Sequence, residues 1–274
     1  MRTLAVYGKG GIGKSTVAST LAVLYAEAGE RVLLVGCDPK HDSSYKVVER
    51  KTVRTVMSLL LAKGDEGVKR SDILMPSRIA GLTCIETGGP EPGVGCAGRG
   101  ITRMFELLAE FGVPGNDYDV VVYDVLGDVV CGGFAAPIRA GYAKEVYIVL
   151  SGEVMAMYAA NNICRAVQNH RRTGVRIGGL VANLRGVPDE LRVLERFART
   201  VGIPLLPVIP RDPLIQEAEA KSRTVVEYAP DAPVSGHYRT LFNAVVASDP
   251  STLPLPTPLD DDGFEQFVAD ARSP

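Results

Sequence analysis

Eight residues near the start of the chain, Gly8-Lys9-Gly10-Gly11-Ile12-Gly13-Lys14-Ser15, have the types and spacing that hold phosphate. They fit G-x-x-x-x-G-K-S, follow a short β-branched apolar run and precede a helix-spaced stretch from Thr16, which is the setting this motif requires. Glycines let successive backbone N–H groups turn inward on phosphate oxygens, and the following helix aims its positive end at the same point. Lys14 then reaches the terminal phosphates and Ser15 ligates Mg²⁺, so the loop predicts a nucleoside triphosphate site. Lys9 is a second lysine at the head of the loop, where the loop's own phosphates need none.

Two further loops offer carboxylates where an open α/β sheet places its ligands, beyond strand ends. Asp38-Pro39-Lys40-His41-Asp42 follows the second apolar run, and Asp124-Val125-Leu126-Gly127-Asp128 follows the fourth. Carboxylates there can order Mg²⁺ and its waters, and one, Asp38 or Asp128, can orient the attacking water; single aspartates at such points also serve as helix caps. The chain has five cysteines. Cys37, Cys84 and Cys164 fall in apolar surroundings and read as small buried hydrophobes. Cys96 and Cys131 instead stand in glycine-rich loops, Gly93-Val94-Gly95-Cys96-Ala97-Gly98 and Val130-Cys131-Gly132-Gly133, with little bulk beside the sulfur. A cubane iron–sulfur cluster takes four thiolates, which a two-fold dimer of such chains would supply on its axis. Zinc, or no metal, also fits two glycine-flanked cysteines.

The elements that must position these groups are legible in the apolar pattern. Runs at 4–7, 32–35, 82–85, 120–123, 146–150, 177–182 and 205–209 are short, continuous and rich in β-branched residues, as buried parallel strands are. Helical spacing lies between them, at 16–28, 55–61, 101–111, 155–167, 190–201 and 213–220. The alternation predicts one doubly wound α/β domain with a mostly parallel sheet over 1–248. The proline-rich, acidic tail 249–274 is expected to wrap the body, with a short helix near 262–271. With 274 residues, 46% hydrophobic and 23% charged, the chain is a globular one, and its net charge of -2 gives no bulk footprint for nucleic acid or an anionic membrane. The arginine-rich stretch 165–199 reads as solvated helix faces. No apolar run reaches the roughly 18 residues of a membrane span, and an odd cysteine count without a signal peptide argues for reduced thiols, so a cytoplasmic protein is expected.

Lys-Gly-Gly-x-Gly-Lys-Ser at 9–15 resembles the deviant Walker A ATPases, in which the extra lysine, here Lys9, reaches across a dimer interface to the partner's nucleotide. GGPEPGVGCAGRG at 88–100, YDVLGDVVCGGFA at 123–135 and SGEVMAMYAANNI at 151–163 are similar, nearly word for word, to the nitrogenase iron protein (dinitrogenase reductase) family. The likeness runs from the phosphate loop to VIPRDPLIQEAEAKSRTVVEY at 208–228. It implies a homodimer with one [4Fe-4S] cluster between subunits, one MgATP per chain, and ATP-dependent electron delivery to a heteromeric catalytic component, with a ferredoxin or flavodoxin as donor. By motif, Cys96 and Cys131 would ligate the cluster, while Lys9, Lys14 and Ser15 would hold phosphates and Mg²⁺. Asp38, Lys40 and Asp42 would form a first switch, and Asp124 to Asp128 a second that runs into Cys131. Asn183, Pro210, Asp212, Gln216 and Glu219 match positions around the adenosine, and Arg99 matches an arginine beside the cluster that some relatives modify by ADP-ribosylation.

His41, Tyr45, Ala136, Leu150 and the segment 54–75 depart from the nitrogenase pattern. The catalytic partner implied is therefore nitrogenase itself or a nitrogenase-like enzyme such as methylthio-alkane reductase, with a tetrapyrrole-biosynthesis reductase as the alternative. From another class, a Min/Par-type positioning ATPase shares Lys9, Lys14 and the switch loops but gives Cys96 and Cys131 no role. The acidic tail also lacks the basic amphipathic helix such a protein uses on membranes.

Overall fold

The computed structural model describes residues 1–89, 97–127 and 135–271, apart from the side chains of Arg50 and Ala97. Seven strands form one sheet in the order β3-β4-β2-β5-β1-β6-β7. They are β1 (Arg2–Tyr7), β2 (Val32–Cys37), β3 (Met75–Pro76), β4 (Leu82–Glu86), β5 (Val120–Val125), β6 (Glu145–Leu150) and β7 (Arg176–Ala182). All pairs are parallel except the short edge pair of β3 with β4. In β1, Leu4 and Val6 enter one core while Ala5 and Tyr7 enter the other. A strand buried on both faces has no polar positions to alternate with, which is why these strands read as unbroken apolar runs.

Helices cover both faces. The longer ones that matter here are α1 (Lys14–Glu27), α2 (Val56–Lys63), α4 (Ala97–Glu110), α6 (Val154–Asn169), α7 (Glu190–Val201), α8 (Pro213–Ala220), α10 (Pro233–Ala247) and α11 (Asp261–Ala271); α3 (Arg70–Ile73), α5 (Ala136–Arg139) and α9 (Val225–Tyr228) are single turns. One core joins Val17 and Leu21 of α1 to Tyr238 and Leu241 of α10; the other joins Phe105 of α4, Ile163 of α6 and Phe197 of α7. In α1 the side chains from Thr16 to Tyr25 are all buried, so this helix is held from several sides and its N-terminus is a rigid platform.

Residues 205–209, expected as a strand, form none. They make two isolated bridges, Leu180 with Leu205 and Asn183 with Ile209. Pro204, Pro207 and Pro210 punctuate the run, and a proline has no N–H to give a ladder. Sequence patterning also missed α10 and β3. Asp124 and Val125 prove to lie within β5 rather than beyond it.

The tail closes against the same chain. Asn161 exchanges two hydrogen bonds with the Leu259 backbone, and Arg165 donates to the Leu259 carbonyl and to Asp261. Phe264 meets Tyr158 edge-on and Phe267 meets Phe197. Burial of each of these two phenylalanines is worth about 2 kcal/mol.

Candidate functional site

The loops after β1, β2 and β5 open on one edge of the sheet, around a cleft of about 610 Å³. Its floor is the phosphate loop. Gly8 (φ 144°) and Gly13 (φ 100°) hold backbone angles that favour glycine, and a Cβ at Gly8 would stand 2.1 Å from the Val149 carbonyl oxygen. At Gly13 it would stand 2.5 Å from Asn183 Nδ2. The loop is braced from outside: Asn183 Nδ2 donates to the Ile12 carbonyl at 2.7 Å, and Arg185 Nη2 donates to the Gly11 carbonyl at 2.5 Å. With these carbonyls pulled outward, the loop is shaped as a phosphate cradle at the N-terminus of α1.

Lys14 is buried, and its Nζ donates to the Lys9 carbonyl at 3.4 Å, so its charge stays inside the loop. Lys9 itself lines a second, smaller cleft with Glu153, which adjoins the cavity that Lys14 and Ser15 line and shares Gly10, Gly11, Arg185 and Arg211 with it. Asp38, Lys40 and Asp42 all line the main cleft. Asp38 is mostly buried, and its Oδ1 accepts the Lys40 N–H at 2.9 Å, a turn that fixes the start of this loop.

Asp124 is the most constrained group. It is buried at the end of β5, hydrogen-bonded by the Ser15 hydroxyl and, at 2.7 Å on Oδ2, by Ser43 Oγ. Burial pushes its carboxyl above the usual range, while those two hydrogen bonds and the Lys14 charge oppose the shift. Its Oδ1 has no partner among the described residues. A buried carboxylate oxygen without a partner, beside a P-loop serine, fits a Mg²⁺ hydration shell of the kind that accompanies bound phosphates.

At the far wall, Thr16 Oγ1 donates to Glu219 Oε1 at 2.6 Å and Lys46 pairs with the same carboxylate at 3.2 Å. Asp212 and Gln216 line this wall too, and Asp212 Oδ1 also caps α8 by accepting the Leu214 N–H at 2.9 Å. Pro210 directly precedes the lining residues Arg211 and Asp212. Arg99 is exposed in the first turn of α4. Cys96, Cys131 and Asp128 lie outside the described residues.

The other three cysteines are buried and reduced. Burial pushes the Cys164 thiol up to about 12 and those of Cys37 and Cys84 well above the usual value, so all three stay protonated and are poor ligands. The chemistry of the donor set thus fits a cluster that takes two thiolates from each of two chains. Among the described residues no three His, Cys, Asp or Glu side chains gather to hold a metal ion, and no helix is long and apolar enough to cross a membrane.

Several residues that build the site carried no sequence signal. Glu190, buried at the start of α7, accepts the N–H groups of Gly152, Arg185, Gly186 and Val187, which sets the loop that places Arg185. Ser43, Ser44 and Glu86 form a buried polar cluster behind Asp124, and burial pushes Glu86 up to about 8. Only tertiary contacts give these residues a role; nothing in their spacing did.

The family model for "4Fe-4S iron sulfur cluster binding proteins, NifH/frxC family" matches residues 2–273. The chain is 44% identical over 265 residues to the nitrogenase iron protein of Methanospirillum hungatei, covering 95% of this chain and 93% of that one. Among solved structures it resembles the septum site-determining protein MinD of Pyrococcus horikoshii complexed with Mg-ADP, with a TM-score of 0.70 at 21% identity, covering 90% of this chain and 96% of that one. It also resembles the cobyrinic acid a,c-diamide synthase of Mycobacterium smegmatis with bound ADP and magnesium, with a TM-score of 0.65 at 22% identity, covering 89% and 94%. These two likenesses speak to the fold alone. A family match over nearly the whole chain, on a fold whose cleft is built for a nucleotide, is a stronger statement: the chain belongs to the NifH/frxC family of iron proteins, which bind a [4Fe-4S] cluster and MgATP.

Proposed function

We propose that this chain, as a homodimer, hydrolyses MgATP to drive electron delivery to a nitrogenase-like catalytic component, nitrogenase itself or a relative acting on an organosulfur compound. A tetrapyrrole reductase is the alternative partner, and a ferredoxin or flavodoxin is the proposed donor. The observation that carries the reading is Asp124. It holds Ser15 of the phosphate loop on one side and Ser43 of the 38–46 loop on the other, and the chain beyond it reaches Cys131 seven residues later.

The roles we assign rest on the motifs and, for the described residues, on the lining of the cleft. Gly8, Gly10, Gly11, Ile12 and Gly13 supply the cradle, Lys14 neutralises the terminal phosphates, and Ser15 with Asp124 orders Mg²⁺. Thr16, Asn183, Pro210, Asp212, Gln216 and Glu219 enclose the nucleoside. Asp38 or Asp128 holds the attacking water, and Lys40 and Asp42 respond to the γ-phosphate. Lys9, turned to the second cleft, is free to serve the partner subunit's nucleotide by stabilising transition-state charge. Cys96 and Cys131 of each chain would hold the [4Fe-4S] cluster, which when bound supplies a single low-potential electron. Arg99 lies three residues beyond Cys96 on an exposed surface, which suits docking to the catalytic component. Loss of the γ-phosphate changes the contacts of both switch loops, and such segments reorder when it leaves.

The test is reconstitution. Reduced, anaerobically purified protein mixed with candidate catalytic components should form product only with ATP. The partner that yields ammonia, a thiol or a reduced tetrapyrrole identifies the system. Cluster-loaded protein that supports no ATP-dependent reduction with any of the three would refute the reading.

A further inference from the structure

The 38–46 loop is fastened at two consecutive residues to two different strands. Ser43 Oγ donates to Asp124 at the end of β5, and the Ser44 N–H donates to Glu86 Oε1 at the end of β4, at 2.6 Å. β4 and β5 flank β2, and Glu86, Gly36 and Asp124 are in register across the three. In-register residues point to the same side of a sheet, so the two carboxyl groups face one another over a glycine. Gly36 has to lack a side chain, because a Cβ there would stand 2.0 Å from Glu86 Oε2 and 2.8 Å from Ser43 Oγ. Glu86 is fully buried, and Oε2 has no partner among the described residues.

The grip on Asp124 belongs to the magnesium side of the site. The grip on Glu86 does not. β4 leads within ten residues to Cys96, and its continuation stays against the loop that faces the nucleotide. The Thr87 N–H and hydroxyl both donate to the Gly36 carbonyl, at 2.9 and 2.8 Å. A Cβ added at Gly89 would stand 2.6 Å from Pro39 Cβ, so the chain leaving β4 lies directly on the residue after Asp38.

We propose that Glu86 is a positioning residue that ties the 38–46 loop to the segment carrying Cys96, giving nucleotide state a second route to the cluster ligands beside the one through Asp124 and Cys131. The inference rests on the proposed function. Its physical basis is the cost of the alternative: if the loop moved while β4 stayed, the Glu86 carboxyl would be left buried with no donor at all, and a desolvated unpaired acceptor is costly. Packed elements of this kind switch between discrete arrangements rather than stretch, so the end of β4 and residues 87–89 move with Ser44 and Pro39.

Glu86→Met removes the acceptor at similar volume, and Glu86→Gln keeps one. In the cluster-loaded dimer, MgATP should accelerate capture of cluster iron by a chelator, and Glu86→Met should lower that acceleration by about five-fold or more with nucleotide affinity held within about two-fold. Glu86→Gln should respond as wild type does. A second readout needs no cluster: backbone amides of 82–89 should change their hydrogen exchange on MgATP binding in wild type and Glu86→Gln, and not in Glu86→Met. If Glu86→Met does not fold, Glu86→Asp, whose carboxyl stops one methylene short of Ser44, is judged by the same criteria. An unaltered response in the acceptor-free variant, or equal loss in Glu86→Gln, overturns the proposal while leaving the proposed function standing. Absence of any MgATP effect on chelation in wild type would overturn both.

Discussion

Asp124 and Glu86 carry the same functional group, sit in register and are both buried, and burial raises the pKa of each, but the groups that oppose the rise differ. At Asp124 burial is the largest influence and raises the pKa, while two hydroxyl donors and the Lys14 charge oppose it. Burial dominates at Glu86 and lifts it to about 8, with the Asp124 and Asp42 charges adding to the rise and hydrogen bonds from Ser44 opposing it. A carboxyl with a raised pKa in the folded state loses its stabilising contribution as pH climbs from its unfolded value through about 8, because over that range the unfolded form has released its proton while the folded form still holds it. Every tenfold gain in proton affinity on folding is worth about 1.4 kcal/mol. Glu86→Gln should therefore gain stability relative to wild type at pH 9 compared with pH 6, read as the difference in thermal midpoint at the two pH values; an equal difference at both would refute the assignment. Cysteines divide the same way, by environment. Cys96→Ser or Cys131→Ser should abolish the cluster, whereas Cys37→Ala, Cys84→Ala and Cys164→Ala should retain it. Iron content and EPR of anaerobically prepared variants decide the matter, and a full cluster in either serine variant would remove that residue as a ligand.

At the scale of elements, the site is an arrangement of strand ends. β1, β2 and β5 are neighbours or next neighbours in the sheet, so the loops leaving them converge although up to about 115 residues separate them in sequence. The loop after β5 is pressed onto the phosphate loop: a Cβ at Gly127 would stand 1.7 Å from the Gly8 carbonyl oxygen. That contact puts the residue that ends the described part of this loop against the backbone of the phosphate loop. Asp124→Glu should consequently bind nucleotide with nearly wild-type affinity but respond wrongly, because a carboxylate advanced by one methylene displaces Ser43 or Ser15. Only a few kcal/mol of bias are needed, since a two-state element passes from mostly one form to mostly the other over roughly 5.5 kcal/mol. Chelation of cluster iron with and without MgATP reads this directly; wild-type acceleration in Asp124→Glu would show that β5 does not transmit.

For the whole molecule, the question is which lysine serves which nucleotide. Lys14 is buried in its own loop while Lys9 lines the adjoining cleft beside Glu153, on the other side of Gly10 and Gly11. Lys9→Ala and Lys14→Ala homodimers should both lose hydrolysis, by about 10³-fold or more for the loss of a transition-state cation. Co-expressed as a mixed dimer, they distinguish trans from cis. The Lys9→Ala chain keeps its own Lys14 and receives the partner's intact Lys9, so one site in each mixed dimer should work, giving about a quarter of wild-type turnover in a random mixture. No recovery in the mixture would mean that Lys9 acts within its own chain. The tail belongs to this scale as well: α11 packs on α6 and α7 of the same chain through Phe264 and Phe267, leaving the clefts that hold Lys9 and Lys14 open.

The phosphate loop, the strand cores and most helices were legible in the amino-acid sequence because each is governed by local rules. Glycine spacing sets backbone angles, β-branched runs mark strands buried on both faces, and α7 and α8 fall at 190–201 and 213–220 as their patterning predicts. Residues 205–209 show where such rules stop: their composition is that of a strand, but three prolines starve the ladder of donors and only two bridges form. What tertiary structure alone decided is which polar groups share a low-dielectric interior. Glu86, Ser43 and Ser44 look in sequence like ordinary residues at a strand end and in a loop, as Glu190 looks like an ordinary first-turn helix acid. Their roles arise because the strand order brings β4, β2 and β5 side by side and lays the 38–46 loop over Gly36. Hydrogen bonds between residues 42 and 81 positions apart depend on that register, and no local pattern encodes it.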